Sequence, residues 1–183
     1  MNRYNIIVWL LPIVFMIHDF EEIIFFKSWI SKNRDYLAKK FPKLSKRFLF
    51  RLENLSTSAF ALAVAEEFVL LSLITLGSIL FDNYLLWLAA FMGFFVHLLI
   101  HLVQWIVVKR YIPAIYTTFL SLIYCSYSLY VIISNNIFQP LEIVLWTLIG
   151  VVLVGVNLTF AHKLAEIFDK KQHNMDNTVK NIT

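Results

Sequence analysis

The stretch Tyr84–Val108, YLLWLAAFMGFFVHLLIHLVQWIVV, runs for 25 residues without a Lys, Arg, Asp or Glu. A helix rising about 1.5 Å per residue needs roughly 20 apolar residues to cross hydrocarbon about 30 Å thick, so this run reads as a transmembrane span. Working outward, four more apolar stretches approach or exceed that length: Asn5–Ile30, Thr57–Phe81, Ala114–Ser134 and Leu141–His162. The composition agrees, since 60% of the residues are hydrophobic and only 15% charged, too apolar a mixture for an ordinary soluble domain. The expected fold is all-α, a polytopic transmembrane helical bundle of about five helices. Residues 1–166 form one transmembrane domain with spans near 5–30, 57–81, 84–108, 114–134 and 141–162, followed by a polar cytoplasmic tail, 167–183.

Charge sets the topology. Between the first two spans, in the loop 31–53, Lys32, Arg34, Lys39, Lys40, Lys43, Lys46, Arg47 and Arg51 face only Asp35 and Glu53. The positive-inside rule puts this loop in the cytoplasm, the N-terminus outside and the C-terminus inside, in the cell membrane. Leu37, Phe41, Leu44, Phe48 and Leu52 recur at three- and four-residue steps, which predicts an amphipathic helix on the cytoplasmic leaflet, with Pro42 as a candidate helix start. The net charge of +4 gathers beside the spans rather than on a soluble surface, so the expected partners are membrane lipids, with anionic headgroups at loop 31–53, and not nucleic acid. A secretory signal at the N-terminus is disfavoured by His18, Glu21 and Glu22 within the apolar run and by the lack of a small-residue cleavage pattern. The single cysteine, Cys125, excludes an internal disulfide and a cysteine-based metal cluster. After Glu166 the chain turns polar without periodicity and is expected to lack regular structure.

Ionisable residues inside these spans need a reason, because a charge at the bilayer centre costs about 2.5–3.5 kcal/mol on insertion scales. His18, Glu21 and Glu22 stand at i, i+3 and i+4, on one face of the first helix; His97, His101 and Gln104 do the same on the third. Adjacent Glu66 and Glu67 point about 100° apart, so one of the two reaches a common centre more directly. Ala59, Ala61, Ala63 and Ala65 lead up to them and allow close helix approach. Counted from the cytoplasmic ends, the three sets fall at overlapping depths. Imidazole with carboxylate suits zinc, iron or manganese, and bundle cores hold one or two such ions this way. The candidate ligands are His18, Glu21, Glu22, Glu66, Glu67, His97 and His101, with Glu21 or Glu22 as a catalytic base. Asp19, about 100° from His18, is expected to face solvent or the basic loop, and Asn157 to bond between helices. Tyr116, Tyr124, Tyr127, Tyr130 and Trp146 read as lipid-facing or interfacial packing.

His18-Asp19-Phe20-Glu21-Glu22, together with Ala63-Val64-Ala65-Glu66-Glu67, the His97/His101 pair and Lys109-Arg110-Tyr111-Ile112-Pro113, resembles the bacterial membrane family named after its HXXEE motif. That resemblance covers about the first two thirds of the chain and implies no reaction, the family being functionally uncharacterised. The pattern of intramembrane CAAX-type endopeptidases is not met: Leu71 and Phe26 stand where an arginine is required, and Gly93 where a phenylalanine is. The functional expectation is a metal-dependent membrane enzyme acting on a lipid-like or apolar substrate, by hydrolysis or by di-iron oxidation. The alternatives are proton or divalent-cation transport or sensing, and a structural polar network without metal.

Overall fold

A computed structural model describes residues 3–44 and 55–180. Among these the chain forms α1 (Arg3–Lys40), the single turn α2 (Pro42–Leu44), α3 (Thr57–Leu80), α4 (Leu85–Val108), α5 (Ile115–Ser134) and α6 (Pro140–Lys180). The fold is an all-α bundle. α3, α4, α5 and the Pro140–Met175 part of α6 are long and apolar enough to cross a membrane. α1 is not among them, because Asp19, Glu21 and Glu22 interrupt its apolar run.

The connections fall where the sequence placed them, at Asp82–Asn83, Lys109–Ala114 and Asn135–Gln139, and their tightest points adopt left-handed backbone at Asp82, Lys109, Ala114 and Asn136. Asp and Asn tolerate that region; for Ala114 it is strained. α3 begins at Ser56, whose hydroxyl accepts from the Ala59 amide at 3.1 Å, satisfying one of the four unpaired N–H groups at a helix start.

α4 is the axis of the bundle. Its Trp87, Leu88, Phe91 and Leu98 join Val8 and Leu11 of α1 and Cys125 and Ile132 of α5 in one buried cluster. Tyr124, among the aromatics read as lipid-facing, instead ties α5 to α1 by donating to the Ile7 carbonyl at 2.7 Å, whereas Tyr116, Tyr127 and Tyr130 are exposed. α6 lies outermost and meets α4 through small residues. A Cβ on Gly150 would fall on the Ala89 carbonyl, and one on Gly93 would crowd Val154 and the Gly150 carbonyl. Without a hydrophobic force between helices in lipid, such close backbone approach supplies the packing. Gly150→Ala is therefore expected to cost about 1–3 kcal/mol by overpacking against backbone that has no rotamer to move. Circular-dichroism melts in detergent should show it, with Gly155→Ala, where a Cβ meets nothing within 4 Å, unchanged. Of the alanine run on α3, Ala59 and Ala63 are buried against Ala161 and Ala165 of α6, while Ala65 is exposed, so the close face follows a four-residue step.

Three expectations are corrected. α1 does not end near Ile30 but continues through the basic residues to Lys40. The apolar residues Leu37 and Phe41 pack on Val108, Ile112 and Ile115 of the bundle itself rather than on lipid; Phe48 and Leu52 lie outside the described residues. α2 does begin at Pro42. Finally, α6 runs through the polar tail to Lys180, anchored where Asp169 accepts the Ser56 amide at 3.3 Å and Gln172 accepts the Ser58 hydroxyl at 3.2 Å.

The extended end of α1 clasps the α4–α5 linker. Trp29 donates to the Tyr111 carbonyl at 2.5 Å, and Tyr36 and Lys40 donate to the Val108 carbonyl at 2.6 and 3.2 Å, satisfying an acceptor left open at the end of α4. Arg110 stacks 3.8 Å from the Tyr36 ring centre and donates to Asn33 at 3.2 Å. This clasp fixes the linker from which Tyr111 reaches the site.

Candidate metal centre

His18 comes from the middle of α1 and His97 and His101 from successive turns of α4, so the four-residue spacing of the latter pair stacks both imidazoles on one side of the helix. Across the α1–α4 interface the ring of His18 lies 5.5 Å from that of His97 and 5.1 Å from that of His101. The Nε2 atoms of His97 and His101 are 2.9 Å apart, and Glu22 Oε1 is 3.3 Å from His101 Nε2. One nitrogen from each of the three histidines and one oxygen from Glu22 lie within 4.8 Å of one another. Ligands about 2.0–2.1 Å from a tetrahedral zinc sit roughly 3.3 Å apart, so atoms within 4.8 Å of one another would close by up to about 1.5 Å to surround an ion.

The burial of the four is uneven. His18 is 0% exposed and His101 6%, whereas His97 and Glu22 retain partial exposure, 18% for the Glu22 side chain. His18 Nε2 has no hydrogen-bond partner among the described residues. A buried polar atom without a partner costs about 1–3 kcal/mol, and an ion at the centre would satisfy it.

Glu21 has a different task. Its Oε1 accepts from the Tyr111 hydroxyl at 2.8 Å; its Oε2 accepts from the Thr117 hydroxyl at 2.7 Å and the Thr117 amide at 2.9 Å. That amide belongs to the first turn of α5, whose N-cap position is held by Ala114, a residue with no side chain for capping. Glu21 thus caps α5 from another helix, where the partial positive charge of a helix start favours a carboxylate. Burial first, and then the bond to Glu21, hold the Tyr111 phenol above its ordinary titration range, so that it remains a donor. Thr117 also sits 3.4 Å from His18 Nδ1, which engages one ring nitrogen, while the other, Nε2, has no partner among the described residues.

The model of a protein family described as "Protein of unknown function with HXXEE motif" matches residues 9–128. The chain belongs to the HXXEE family. No curated protein and no solved structure matches it. The structure divides the HXXEE motif between two jobs: His18 and Glu22 enter the cluster, and Glu21 locks α1 to α5.

Of the seven ligands read from the HXXEE chain, four meet: His18, Glu22, His97 and His101. Glu21 is outside that group, its oxygens accepting from Tyr111 and Thr117. Glu66 accepts from Asn157 of α6 at 3.2 Å, which makes Asn157 the helix-to-helix bond expected of it. Glu67 lies outside the four-atom group, half-buried on α3. Gln104 is exposed. Thr117 escaped the sequence reading, and Tyr111 entered it only within the Lys109–Pro113 stretch, because nothing in their spacing links them to Glu21 across the α1–α5 interface. Asp19, expected to face solvent or the basic loop, does not face solvent, being 4% exposed.

Proposed function

We propose that this HXXEE protein is a metal-dependent membrane enzyme acting on a lipid-like or apolar substrate. The observation that carries the reading is the meeting of His18, Glu22, His97 and His101 in one ligand-sized cluster. Three imidazoles and a carboxylate suit zinc, iron or manganese, and such an ion supplies Lewis acidity and a water acidic enough to react near neutral pH. The chain's own residues do the rest. Thr117 and Glu21 orient His18, His101 sets the distance between His97 and Glu22, and half-buried Glu22 and His97 mark the side from which substrate enters. A purely structural metal site would be closed on all sides. The broad exposure of apolar side chains, such as Ile106, Val103 and Leu99 on α4, supports delivery of substrate from lipid.

The protein is proposed to lie in the cell membrane with its N-terminus outside and C-terminus in the cytoplasm. Lys32–Lys43 on α1 and α2 and Lys109–Arg110 meet at one end of the bundle through the clasp described above, which suits contact with anionic headgroups.

Protein purified in detergent without added metal should retain about one or more equivalents of zinc, iron or manganese per chain by inductively coupled plasma mass spectrometry. Zinc would assign hydrolytic chemistry and iron oxidation. Folded wild-type protein that holds no transition metal would end the proposal. A proton relay is the second reading, favoured by the His97–His101–Glu22 chain of close contacts; it requires proton flux into proteoliposomes that Glu22→Gln abolishes.

A further inference from the structure

At the end of the bundle held by the clasp, two cations lack a carboxylate. Arg110 is exposed, with its guanidinium 3.8 Å from the Tyr36 ring centre and a donation to the Asn33 side chain at 3.2 Å. Lys40, also exposed, donates to the Tyr36 hydroxyl at 2.9 Å and to the Val108 carbonyl at 3.2 Å, and its Nζ lies 5.2 Å from the same ring centre. Among the described residues neither pairs with an Asp or Glu. Lys39, Lys43 and Lys109 stand exposed on the same segments, where Asp35 is the one acid among the described residues. A free surface cation samples many rotamers, whereas these two are gathered on one aromatic ring, so little further side-chain entropy is lost when an anion arrives. A guanidinium carries five N–H donors and an ammonium three, so both have donors left for a phosphate.

The surface beside these charges points to the rest of the ligand. On either side of the linker, the last turn of α4 exposes Trp105 and Ile106 and the first turns of α5 expose Tyr116 and Phe119. Trp105 meets Phe119 edge to face at 5.8 Å, and the Tyr116 ring lies 5.4 Å from that of Tyr111. A free phosphate would use the cations and leave this apolar and aromatic surface bare. An anionic phospholipid uses both, its headgroup on the cations and its chains along the ends of α4 and α5. The linker also needs outside support. It turns on left-handed backbone at both ends, φ 57 at Lys109 and φ 72 at Ala114, a conformation disfavoured for residues that carry a Cβ. Between those ends it carries Tyr111, whose hydroxyl reaches Glu21 at 2.8 Å.

We propose that Lys40 and Arg110, gathered on Tyr36, bind the headgroup of an anionic phospholipid, and that this lipid holds the linker Lys109–Ala114 in the conformation that delivers Tyr111 to Glu21. Lys40 belongs to α1 and Arg110 to the linker, so one anion between them ties the two segments together and offsets the repulsion of their like charges. A lipid that prefers the closed clasp shifts the linker toward it by as much as its affinities for the two states differ. The consequence reaches the site through Tyr111, since Glu21 locks α1 to α5 beside His18. The inference goes beyond the metal reading and stands without it, because His18, Glu22, His97 and His101 take no part.

The test uses the full chain and phosphatidylglycerol as the probe, with phosphatidylcholine as the neutral reference. Native mass spectrometry from mixed micelles should find about one phosphatidylglycerol held per wild-type chain, bound at least about tenfold more weakly by the double variant Lys40→Gln/Arg110→Gln. Tyr36 still donates to the Val108 carbonyl at 2.6 Å in that variant, which keeps the end of α4 satisfied. Lys40→Gln alone leaves the Arg110 stack intact and should weaken binding about fivefold, so the comparison survives a double variant that fails to fold. Lys170→Gln/Lys171→Gln removes the same charge from exposed positions of α6 and should bind like wild type. In nanodiscs, adding phosphatidylglycerol to phosphatidylcholine should slow hydrogen exchange of the 109–117 amides at least about fivefold in wild type and not in the clasp variants. Glycerol phosphate, a headgroup without chains, should not reproduce the protection. Equal lipid binding by wild type and the folded clasp variants, an equal loss in the α6 variant, or linker exchange indifferent to phosphatidylglycerol would each overturn the proposal. Equal protection by glycerol phosphate would overturn it too, in favour of a soluble phosphate ligand.

Discussion

His101→Ala is expected to lose stoichiometric metal altogether. His101 is the hub of the cluster: its Nε2 is 2.9 Å from His97 Nε2 and 3.3 Å from Glu22 Oε1, and its ring lies 5.1 Å from that of His18. Removing it deletes one ligand and also the group that holds two others in register. Loss of an outer-shell partner typically lowers metal affinity about 10–100-fold, so loss of this ligand should exceed about 100-fold. Two measurements check it. Dialysed His101→Ala should contain less than about a tenth of the wild-type metal by mass spectrometry. Wild-type protein should also gain about 2.7 kcal/mol of stability when zinc is present at a hundred times its dissociation constant, whereas the variant should gain less than about 0.4 kcal/mol at the same concentration. Equal zinc stabilisation of both proteins would show that the cluster is not where metal binds.

Glu21→Ala is expected to be the most destabilising single change at the site, yet to leave the metal ligands in the chain. Three donors, the Tyr111 hydroxyl and the Thr117 hydroxyl and amide, end on this one carboxylate, and α5 has no other side-chain cap at its start. Hydrogen bonds to a charged group contribute about 1.5–3 kcal/mol each, and donors stranded by truncation add their own desolvation cost, so a loss of about 3–5 kcal/mol is expected. Water entering the gap would soften it. Because Thr117 also holds His18 Nδ1, zinc affinity should fall about 10–100-fold with stoichiometry unchanged at saturating metal. This pattern distinguishes a positioning residue from a ligand. Glu21→Ala that melts like wild type would refute the role of the carboxylate as the α1–α5 lock.

Much of the architecture was legible in the chain. The uninterrupted apolar run of Tyr84–Val108 admits little but a membrane-crossing helix, and Asp82–Asn83, Lys109–Arg110 and Asn135–Asn136 mark the turns because polar groups and left-handed backbone collect there. The helical step also put His18 with Glu22, and His97 with His101, on common faces, which is why four of the seven ligands read from sequence do meet. Where periodicity gave out the reading failed. The tail after Glu166 has no apolar stripe, and its helix is held by Ser56 and Ser58 at the start of α3, partners more than a hundred residues away in the chain. Leu37 and Phe41 showed an amphipathic face, but the pattern does not say whether that face meets lipid or the linker after α4.

The sequence by itself determined the membrane-type helical bundle, its turns and the presence of a set of histidines and carboxylates within its helices, because hydropathy and helical period are local properties. Only the tertiary structure decided the duty of each carboxylate. Glu21 and Glu22 are neighbours on one helix, yet they face α5 and α4 respectively. Which neighbour lies across each face is fixed by close packing such as Gly150 on Ala89, and by side chains such as Tyr111 that come from distant loops. The chemistry open to a carboxylate follows from what it faces, a capped helix start or a ring of imidazoles, and no local pattern in the chain encodes that.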